Sequence, residues 1–330
     1  MDIRLKRKIA NDYPYPITVE FMRLNTMEYK NHGKERLEKI IDVTEVILQF
    51  LSLISISDLV ENKLQNKIII PEQYKQRFRD NFTQTSLGKW AELLRETVKN
   101  FKSQNKEMYI SELSDYLFKS NNSPTPEQDA FNRIISIRNS MQHRDRNYSN
   151  ADIEELCIET DTLLEQILTN LDFLVNYQFL YVNKVTVEYH RWSEPIYDID
   201  MSYIVGNNPD LFDSTEKEQS PKKIIHTPAI IITKEGTNDY LNLEPFVIYS
   251  DEGEMKISDI YMYMGWNKNK SQIKYKPVWK GGAFNLFKTS MKKILTSEML
   301  KIMEILGTPD DYQSFKKEVD FKVSNSIVFN

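Results

Sequence analysis

The chain has 330 residues, 40% of them hydrophobic and 12% aromatic, which excludes wholesale disorder and suffices for two cores of ordinary size. Its formal net charge of −5 gives no overall nucleic-acid signature, so any such contact must come from a local patch. The single cysteine, Cys157, excludes an intrachain disulfide framework and a multi-cysteine zinc site, and it fits a reducing cytosol.

The N-terminal segment and the most apolar stretch both argue against a membrane or secretory role. The opening MDIRLKRKIANDYPYPI has basic residues but no apolar core behind them, unlike a secretory signal. The stretch 40–60 contains Asp42, Glu45, Gln49 and Asp58, which a membrane span does not normally tolerate. We therefore expect a soluble, cytoplasmic protein with no membrane partner.

The first half of the chain has helical periodicity. Residues 34–60 are apolar almost all the way round a helix, with a narrow polar strip, which is typical of the central helix of a bundle. Residues 85–101 predict an amphipathic helix, and Pro126 with Glu127 predicts the start of another over 127–143. Ser149 and Asn150 are capping residues for a long helix reaching about residue 177. Residues 1–178 are therefore predicted to form an antiparallel helical bundle.

After residue 178 the hydrophobic period changes to two. Short runs rich in Val, Ile and Tyr, separated by Asn, Asp, Gly and Pro, predict five to seven antiparallel strands in a sheet or partly closed barrel. Residues 206–223 are predicted to be a polar, mobile loop, and helices are predicted around 285–306 and 309–318. The fold class is thus α+β, with a β-rich domain at 179–330 that would recognise a substrate or sense a trigger.

The stretch IRNSMQHRDRN, residues 137–147, is the candidate functional motif. Arg138 and Asn139 precede His143, and Asn139 and His143 share one helix face because they are four residues apart. One interpretation is a helix C-terminus carrying cations that interact favourably with the helix dipole. The other is an acid–base site that binds phosphate.

The sequence RNSMQH resembles the motif of the HEPN superfamily, helical-bundle domains of prokaryotic toxins, phage-defence proteins and CRISPR-associated effectors. That motif is an Arg, a polar residue that is often Asn, a few further residues and a His, matched here at Arg138, Asn139 and His143. The resemblance covers about residues 10–180 and extends more weakly to YPYPI, to the acidic position in VTEVILQFLSLI and to TSLGKW. It departs from a toxin subgroup that has Tyr two residues after the His, since Asp145 stands there.

The resemblance implies a metal-independent endoribonuclease with Arg138, Asn139 and His143 as catalytic residues. A histidine of ordinary pKa near 6.5 acts as acid or base at neutral pH, and an arginine forks onto phosphate oxygens. Asn139 would orient the phosphate or the imidazole. One motif offers one imidazole where two proton transfers are needed, and HEPN nucleases solve this by dimerising. The implied setting is antiviral defence, abortive infection or a toxin system, with a phage trigger or regulatory protein as a possible partner.

Four further residues are candidates for supporting this site, each with a structural alternative. Glu45 either pairs with Arg138 or forms an ordinary bundle salt bridge, the interpretation we favour. Arg144 and Arg146 either guide RNA phosphates or are exposed loop charges, and the sequence does not separate the two. Tyr148 either stacks on a base or closes over the bundle, which we favour.

The segment from Ile260 to Ser297 is a local basic and aromatic surface with no acidic residue. Its candidates for binding single-stranded nucleic acid are Lys268, Lys270, Lys274, Lys276, Trp266 and Tyr275. The alternative, which we favour, is a hairpin whose lysines face water and protect an edge strand.

The remaining histidines and the cysteine do not indicate a metal site or a catalytic site. His32, His190 and His226 have no partners at metal-ligand spacing, Cys157 lies on the apolar face of a helix, and no nucleotide-binding fingerprint is present. We expect no cofactor and no metal site. The main alternative to the nuclease is a non-catalytic HEPN-like scaffold or binding module of a defence complex, and a third is an enzyme acting on free nucleotides.

Overall fold

The computed structural model describes residues 1–142, 148–192, 195–206, 216–219, 229–234, 236–237, 239–250, 259–267, 272–279 and 289–307, with the backbone alone at 216–219, 250, 266–267, 272 and 289–296. The α-helices in this part of the chain are α1 (Ile3–Asp12), α2 (Tyr15–Leu24), α3 (Lys34–Leu64), α4 (Glu72–Phe82), α5 (Leu87–Ser103), α6 (Glu112–Leu117), α7 (Pro126–Gln142), α8 (Asn150–Asn170) and α9 (Thr289–Leu306). The strands are β1 (Tyr177–Glu188), β2 (Ile196–Tyr203), β3 (Glu216–Gln219), β4 (Ala229–Lys234), β5 (Tyr240–Asn242), β6 (Val247–Ser250), β7 (Asp259–Asn267) and β8 (Gln272–Pro277). Helices up to residue 176 are followed by antiparallel sheets, so the predicted α+β class is confirmed.

Several predicted elements differ from the observed ones. α8 ends at Asn170 and a 3-10 turn follows at Asp172–Asn176, so the predicted helix end near residue 177 is wrong. β3 lies within the segment predicted to be a loop and pairs with β2. β8 pairs antiparallel with β7, in agreement with the favoured hairpin interpretation of residues 260–297. The strands form two antiparallel sheets, ordered β3-β2-β1-β4-β5 and β6-β7-β8, instead of one sheet or barrel. The predicted helix at 309–318 lies outside the described residues.

Two compact units divide the chain differently from the predicted boundary at residue 178. Unit 1 comprises Met1–Leu51 and Glu107–Asn242, and unit 2 comprises Ser52–Lys106 and Leu243–Asn330. Each unit therefore combines helices with one sheet and is built from two separate stretches of chain. Near residue 178 the chain changes from helices to strands, but the compact units do not divide there. Within each unit, strands from the later part of the sequence pack with helices from the earlier part.

Unit 1 contains the five-stranded sheet and helices on which the motif lies. In the register of the central strand β1, Leu180 pairs with Tyr203 of β2 and with Ile231 of β4. Leu180 belongs to a buried cluster on one face of the sheet, while the neighbouring Phe179 contacts Phe50 of α3, with ring centroids 5.4 Å apart. This alternation is the period of two that the sequence shows.

Unit 2 has an aromatic core between α4, α5 and the three-stranded sheet. Phe82 contacts Trp90 and Phe246 edge to face and stacks on Tyr263. Gly265 makes a bulge in β7 with a φ of +134°, and a Cβ there would lie 3.0 Å from the Thr83 carbonyl oxygen. Only glycine fits such a backbone without strain.

α3 alone among the described helices is long and apolar enough to cross a membrane. In its most apolar window 89% of the residues are buried inside the protein, and the polar Gln49 is 3% exposed. Such burial is what the core helix of a soluble protein shows, because a membrane-spanning helix presents its apolar surface to lipid.

Candidate active site

α7 and α8 form the antiparallel pair of helices that carries the motif. Thr125 caps the start of α7 by accepting a hydrogen bond from the Gln128 amide at 3.3 Å, directly before Pro126 in the first helical position. Ser149 and Asp152 form a reciprocal capping box at the start of α8, which confirms the predicted cap. The Ser149 hydrogen bonds lower the pKa of the Asp152 carboxyl. Both helix starts are thus fixed by local sequence.

Three side-chain contacts set the register between α7 and α8. Arg133 donates two hydrogen bonds to Glu159, at 2.6 and 2.9 Å, and Asn170 donates to Glu127 at 2.7 Å.

At the other end of the pair, the Tyr148 hydroxyl lies 2.9 Å from the Ser140 hydroxyl, to which it donates. The contacts at both ends and in the middle hold the last turns of α7 in a fixed position beside α8.

Buried isoleucines anchor the turn from which the motif projects. Ile134 is 0% exposed and Ile137 is 2% exposed, whereas Ile135 is half-buried. Because Arg138 follows Ile137 directly, its side chain leaves the helix at the edge of the packed face and is half-buried.

Arg138 is a half-buried cation with few contacts. Its Nη1 donates to the Asn139 side-chain oxygen at 3.1 Å, and among the described residues no carboxylate lies within ion-pairing distance of it. This bond leaves the remaining guanidinium N–H groups of Arg138 and the side-chain NH₂ of the exposed Asn139 available to an anion. Two neighbouring donor groups of this kind suit phosphate oxygens.

Arg133, five residues earlier on α7, has the opposite electrostatic situation. Its bidentate pairing with Glu159 raises the pKa of the guanidinium through the hydrogen bonds, and the same bonds lower the pKa of the Glu159 carboxyl. Arg133 is therefore neutralised within the protein, while Arg138 has no such partner in the described part of the chain.

Two of the candidate supporting residues lie in the described part of the chain. Glu45 is half-buried on α3. Tyr148 is half-buried with its hydroxyl on Ser140, in agreement with the interpretation that it closes over the helices. His143, Arg144 and Arg146 lie outside the described residues.

The predicted basic and aromatic surface is corrected at one position. Tyr275 is 3% exposed and its hydroxyl donates to the Pro245 carbonyl at 2.7 Å, so it cannot stack on a base. It faces inward because side chains alternate along β8, and Lys274 and Lys276 on the other face are half-buried. Of Trp266 only the backbone is described, in β7, and Lys268 and Lys270 lie outside the described residues.

Sequence reasoning missed a polar cluster around His32. Its Nε2 lies 3.1 Å from Asp161 of α8, which also accepts two hydrogen bonds from Arg36 at 2.6 and 2.7 Å. His32 and Asp161 are 129 residues apart in the sequence, so no local spacing could have indicated the contact. Cys157 is fully buried, as its apolar helix face predicted, and burial raises the pKa of its thiol.

No group of three or more His, Cys, Asp or Glu side chains that could hold a metal ion occurs within the described residues. In comparisons with protein-family models, curated proteins and solved structures, no significant match to the chain was found.

Proposed function

We propose that this protein is a metal-independent endoribonuclease of the HEPN type, cytoplasmic, and part of a prokaryotic antiviral, abortive-infection or toxin system. The observation that carries the proposal is the half-buried Arg138, without a carboxylate partner in the described part of the chain and hydrogen-bonded to Asn139. In sequence this pair precedes His143, Arg144 and Arg146, which add an imidazole and two cations. A donor pair followed by an imidazole is the set of groups that phosphodiester cleavage requires.

In the proposed reaction, His143 takes the proton from the ribose 2′-hydroxyl as that oxygen attacks the adjacent phosphorus. The bond from phosphorus to the 5′-oxygen breaks, and an acid donates a proton to the leaving oxygen. The products are a 2′,3′-cyclic phosphate and a 5′-hydroxyl. Arg138 and the Asn139 amide bind the phosphate oxygens, and the guanidinium offsets the negative charge that builds on the phosphorane.

Two motifs are required because the base and the acid act at the same time on opposite sides of the phosphorus. We therefore propose a homodimer formed through the helices of unit 1, in which each copy contributes one His143. The sheet-containing remainder of the chain would select the RNA or respond to a phage trigger or regulatory protein.

The direct test compares wild type, His143→Ala and Arg138→Ala on total RNA in the presence of EDTA. We expect wild type to release fragments with cyclic phosphate ends. Loss of His143 should reduce the rate by about 10²–10⁴-fold, as for a general acid or base, and loss of Arg138 by about 10²–10³-fold. Equal cleavage by wild type and His143→Ala, or none by wild type under any trigger, would reject the nuclease.

Arg133→Ala is the matched control, because it removes the same type of side chain from the same helix. Its pair with Glu159 is partly exposed, so its removal should cost at most about 1 kcal/mol of stability. It should reduce cleavage far less than Arg138→Ala does, because the contacts at both ends of α7 remain. If Arg133→Ala and Arg138→Ala lose activity equally, Arg138 acts only through the fold. RNA binding by wild type and His143→Ala without cleavage by either would favour the scaffold or binding module instead.

The dimer has a separate test. An excess of His143→Ala protein added to wild type should lower the activity per wild-type chain, because mixed dimers contain one imidazole for two proton transfers. Activity that is unaffected by the inactive variant would mean that one motif suffices.

A further inference from the structure

An open cleft of about 270 Å³ lies in unit 1, separate in sequence from the motif. It is bounded by α1, the end of α2, the segment before α3, and the middle of α8. A second opening of about 330 Å³ adjoins it and shares five lining residues with it, Lys6, Leu24, Asn25, His32 and Arg36. Sites for small organic ligands have volumes of a few hundred Å³, so the pair of openings is large enough for one.

One wall of the cleft is fixed by Arg36 and Asp161. Besides its two bonds to Asp161, Arg36 donates to the Tyr29 carbonyl oxygen at 2.7 Å. Its side chain is 16% exposed and that of Asp161 is 23% exposed. The two charges therefore offset each other at close range, and the guanidinium is engaged within the protein and is not the group that would take a ligand.

His32 is held by this wall but faces the cleft. Its side chain is 44% exposed, and its Nε2 contacts Asp161. Since Nε2 is engaged, Nδ1 is the ring nitrogen left for a ligand, as an acceptor in the neutral imidazole and as a donor in the protonated one. The contact with Asp161 fixes the ring in place.

The cleft has an excess of cations once its internal pairs are counted. Asp161 is matched by Arg36, and Glu165 lies 2.9 Å from the Met1 amino group. Lys6, which lines both openings, is half-buried, and no carboxylate of the described residues lies within ion-pairing distance of it. Lys30 at the second opening is likewise unpaired within that part of the chain. An anion bound in the openings would pair with these two ammonium groups.

The cleft also has apolar surface beside these cations. Ile158 lines it and is 49% exposed although it is a large apolar side chain, while the neighbouring Leu24 and Leu164 are buried beneath the surface. A ligand that meets both surfaces is an organic anion. Two lysines match a dianion better than the single charge of a carboxylate, and lysine binds phosphate as a point charge.

We propose that this cleft binds the phosphate monoester group of a small organic molecule, between Lys6 and His32, with the organic part against the exposed Ile158. The site is independent of the proposed RNA cleavage, because it uses none of the motif residues. Nucleotides and sugar phosphates share the recognised group, and the experiment distinguishes them.

The test is isothermal titration calorimetry of the full chain at low salt with 5′-AMP, glucose 6-phosphate, inorganic phosphate and uncharged adenosine. We expect at least one organic phosphate to bind more tightly than inorganic phosphate, and adenosine to bind much more weakly than 5′-AMP if the nucleotide is the ligand. No binding of any phosphate at millimolar concentration, or equal binding of adenosine and 5′-AMP as the tightest ligands, would overturn the proposal.

Variants locate the binding. Lys6→Ala should weaken it by about 10–100-fold, the loss expected for one charge-assisted hydrogen bond. Arg7→Ala removes a cation from the same helix but outside the cleft and should leave binding unchanged. His32→Ala should also weaken binding while the Arg36–Asp161 pair keeps the wall folded, as circular dichroism would verify. Equal effects of Lys6→Ala and Arg7→Ala would mean non-specific attraction and would overturn the assignment.

Discussion

Tyr263 and Phe82 stack face to face although they are 181 residues apart in the sequence. Their ring centroids lie 4.1 Å apart with planes inclined by 11°, and the Tyr263 hydroxyl donates to the Phe82 carbonyl oxygen at 2.9 Å. The pair joins α4 to β7 inside unit 2, and both side chains are fully buried. Stacking and a hydrogen bond between the same two residues make this contact a central part of the unit 2 core.

Tyr263→Phe should keep the stacking and lose the hydrogen bond, which leaves a buried carbonyl without that donor. We expect the free energy of unfolding in urea to fall by about 1–3 kcal/mol. Tyr263→Ala should lower it by about 3–5 kcal/mol, since the ring is removed as well. Tyr189→Phe is the control, because this tyrosine is 75% exposed and its hydroxyl is solvated. Equal stability of wild type and Tyr263→Phe would contradict the prediction.

Glu20 makes stability depend on pH in the acidic range. Burial alone raises the pKa of its carboxyl, but the hydrogen bonds and charges of Lys39 and Arg23 outweigh burial, and the pKa is lowered. The folded state therefore binds the proton less readily than the unfolded state. The ionised Glu20 carboxylate therefore stabilises the folded protein at pH values above the pKa that this carboxyl has in the unfolded chain. That stabilisation is lost as the pH falls towards and through the lower pKa of the carboxyl in the folded protein.

Glu20→Gln should thus destabilise the protein at pH 7 by about 3–5 kcal/mol, because Lys39 is left buried without its main partner. The difference from wild type should shrink as the pH is lowered below about 4, where the carboxyl of the unfolded chain is protonated. Denaturant melts across pH 3–7 measure this. Glu38→Gln is the control, since Glu38 is 58% exposed and 3.8 Å from Lys34, and it should have almost no effect at any pH.

Lys274 and Lys276 lie on β8, the edge strand of the described three-stranded sheet, with Tyr275 facing inward between them. We expect Lys274→Glu with Lys276→Glu to leave RNA affinity and its salt dependence unchanged, because the lysines protect an edge and do not form a binding surface. Arg138→Ala should instead reduce the slope of log affinity against log salt by about one. A reduction by about two in the lysine variant would restore the nucleic-acid interpretation of β8.

A fragment ending at residue 178 should not fold cooperatively. It keeps α4 and α5 but lacks β7, so that Phe82 and Trp90 lose the sheet they pack against, and it also lacks most of β1. We expect binding of a hydrophobic dye and a broad thermal transition, in contrast to the full chain under the same conditions. A sharp transition without dye binding would show that residues 1–178 are a domain after all.

Sequence patterns correctly predicted those helices whose formation depends on residues close together in the chain. α3, α7 and the start of α8 were predicted because their apolar spacing and their capping residues, such as Ser149 and Pro126, act within a few neighbouring positions. β3, with the sequence EKEQ, has no apolar alternation, and it is a strand only because it pairs with β2. Its existence depends on a partner that the local sequence does not specify.

The candidate site shows the same limit. Arg138 and Asn139 are adjacent in sequence, so their contact could be expected, whereas only the three-dimensional structure shows that no carboxylate of the described residues pairs with Arg138. The inward orientation of Tyr275 depends on which face of β8 is covered, and the contact of His32 with Asp161 depends on the packing of α8 beside the segment before α3. Such pairings arise from tertiary packing and leave no local spacing to detect.

The division of each compact unit between two stretches of chain has a consequence during synthesis. Residues 1–106 emerge from the ribosome before all the residues of either unit have been synthesised. The last residues of unit 1 emerge only with the strand that ends at Asn242. Arg138, Asn139 and His143 are therefore translated about a hundred residues before the last strand of their own unit, an interval of about 5–20 s at ordinary elongation rates. A nascent chain of the proposed nuclease would thus acquire its finished architecture late, after the segment with the motif has already left the exit tunnel.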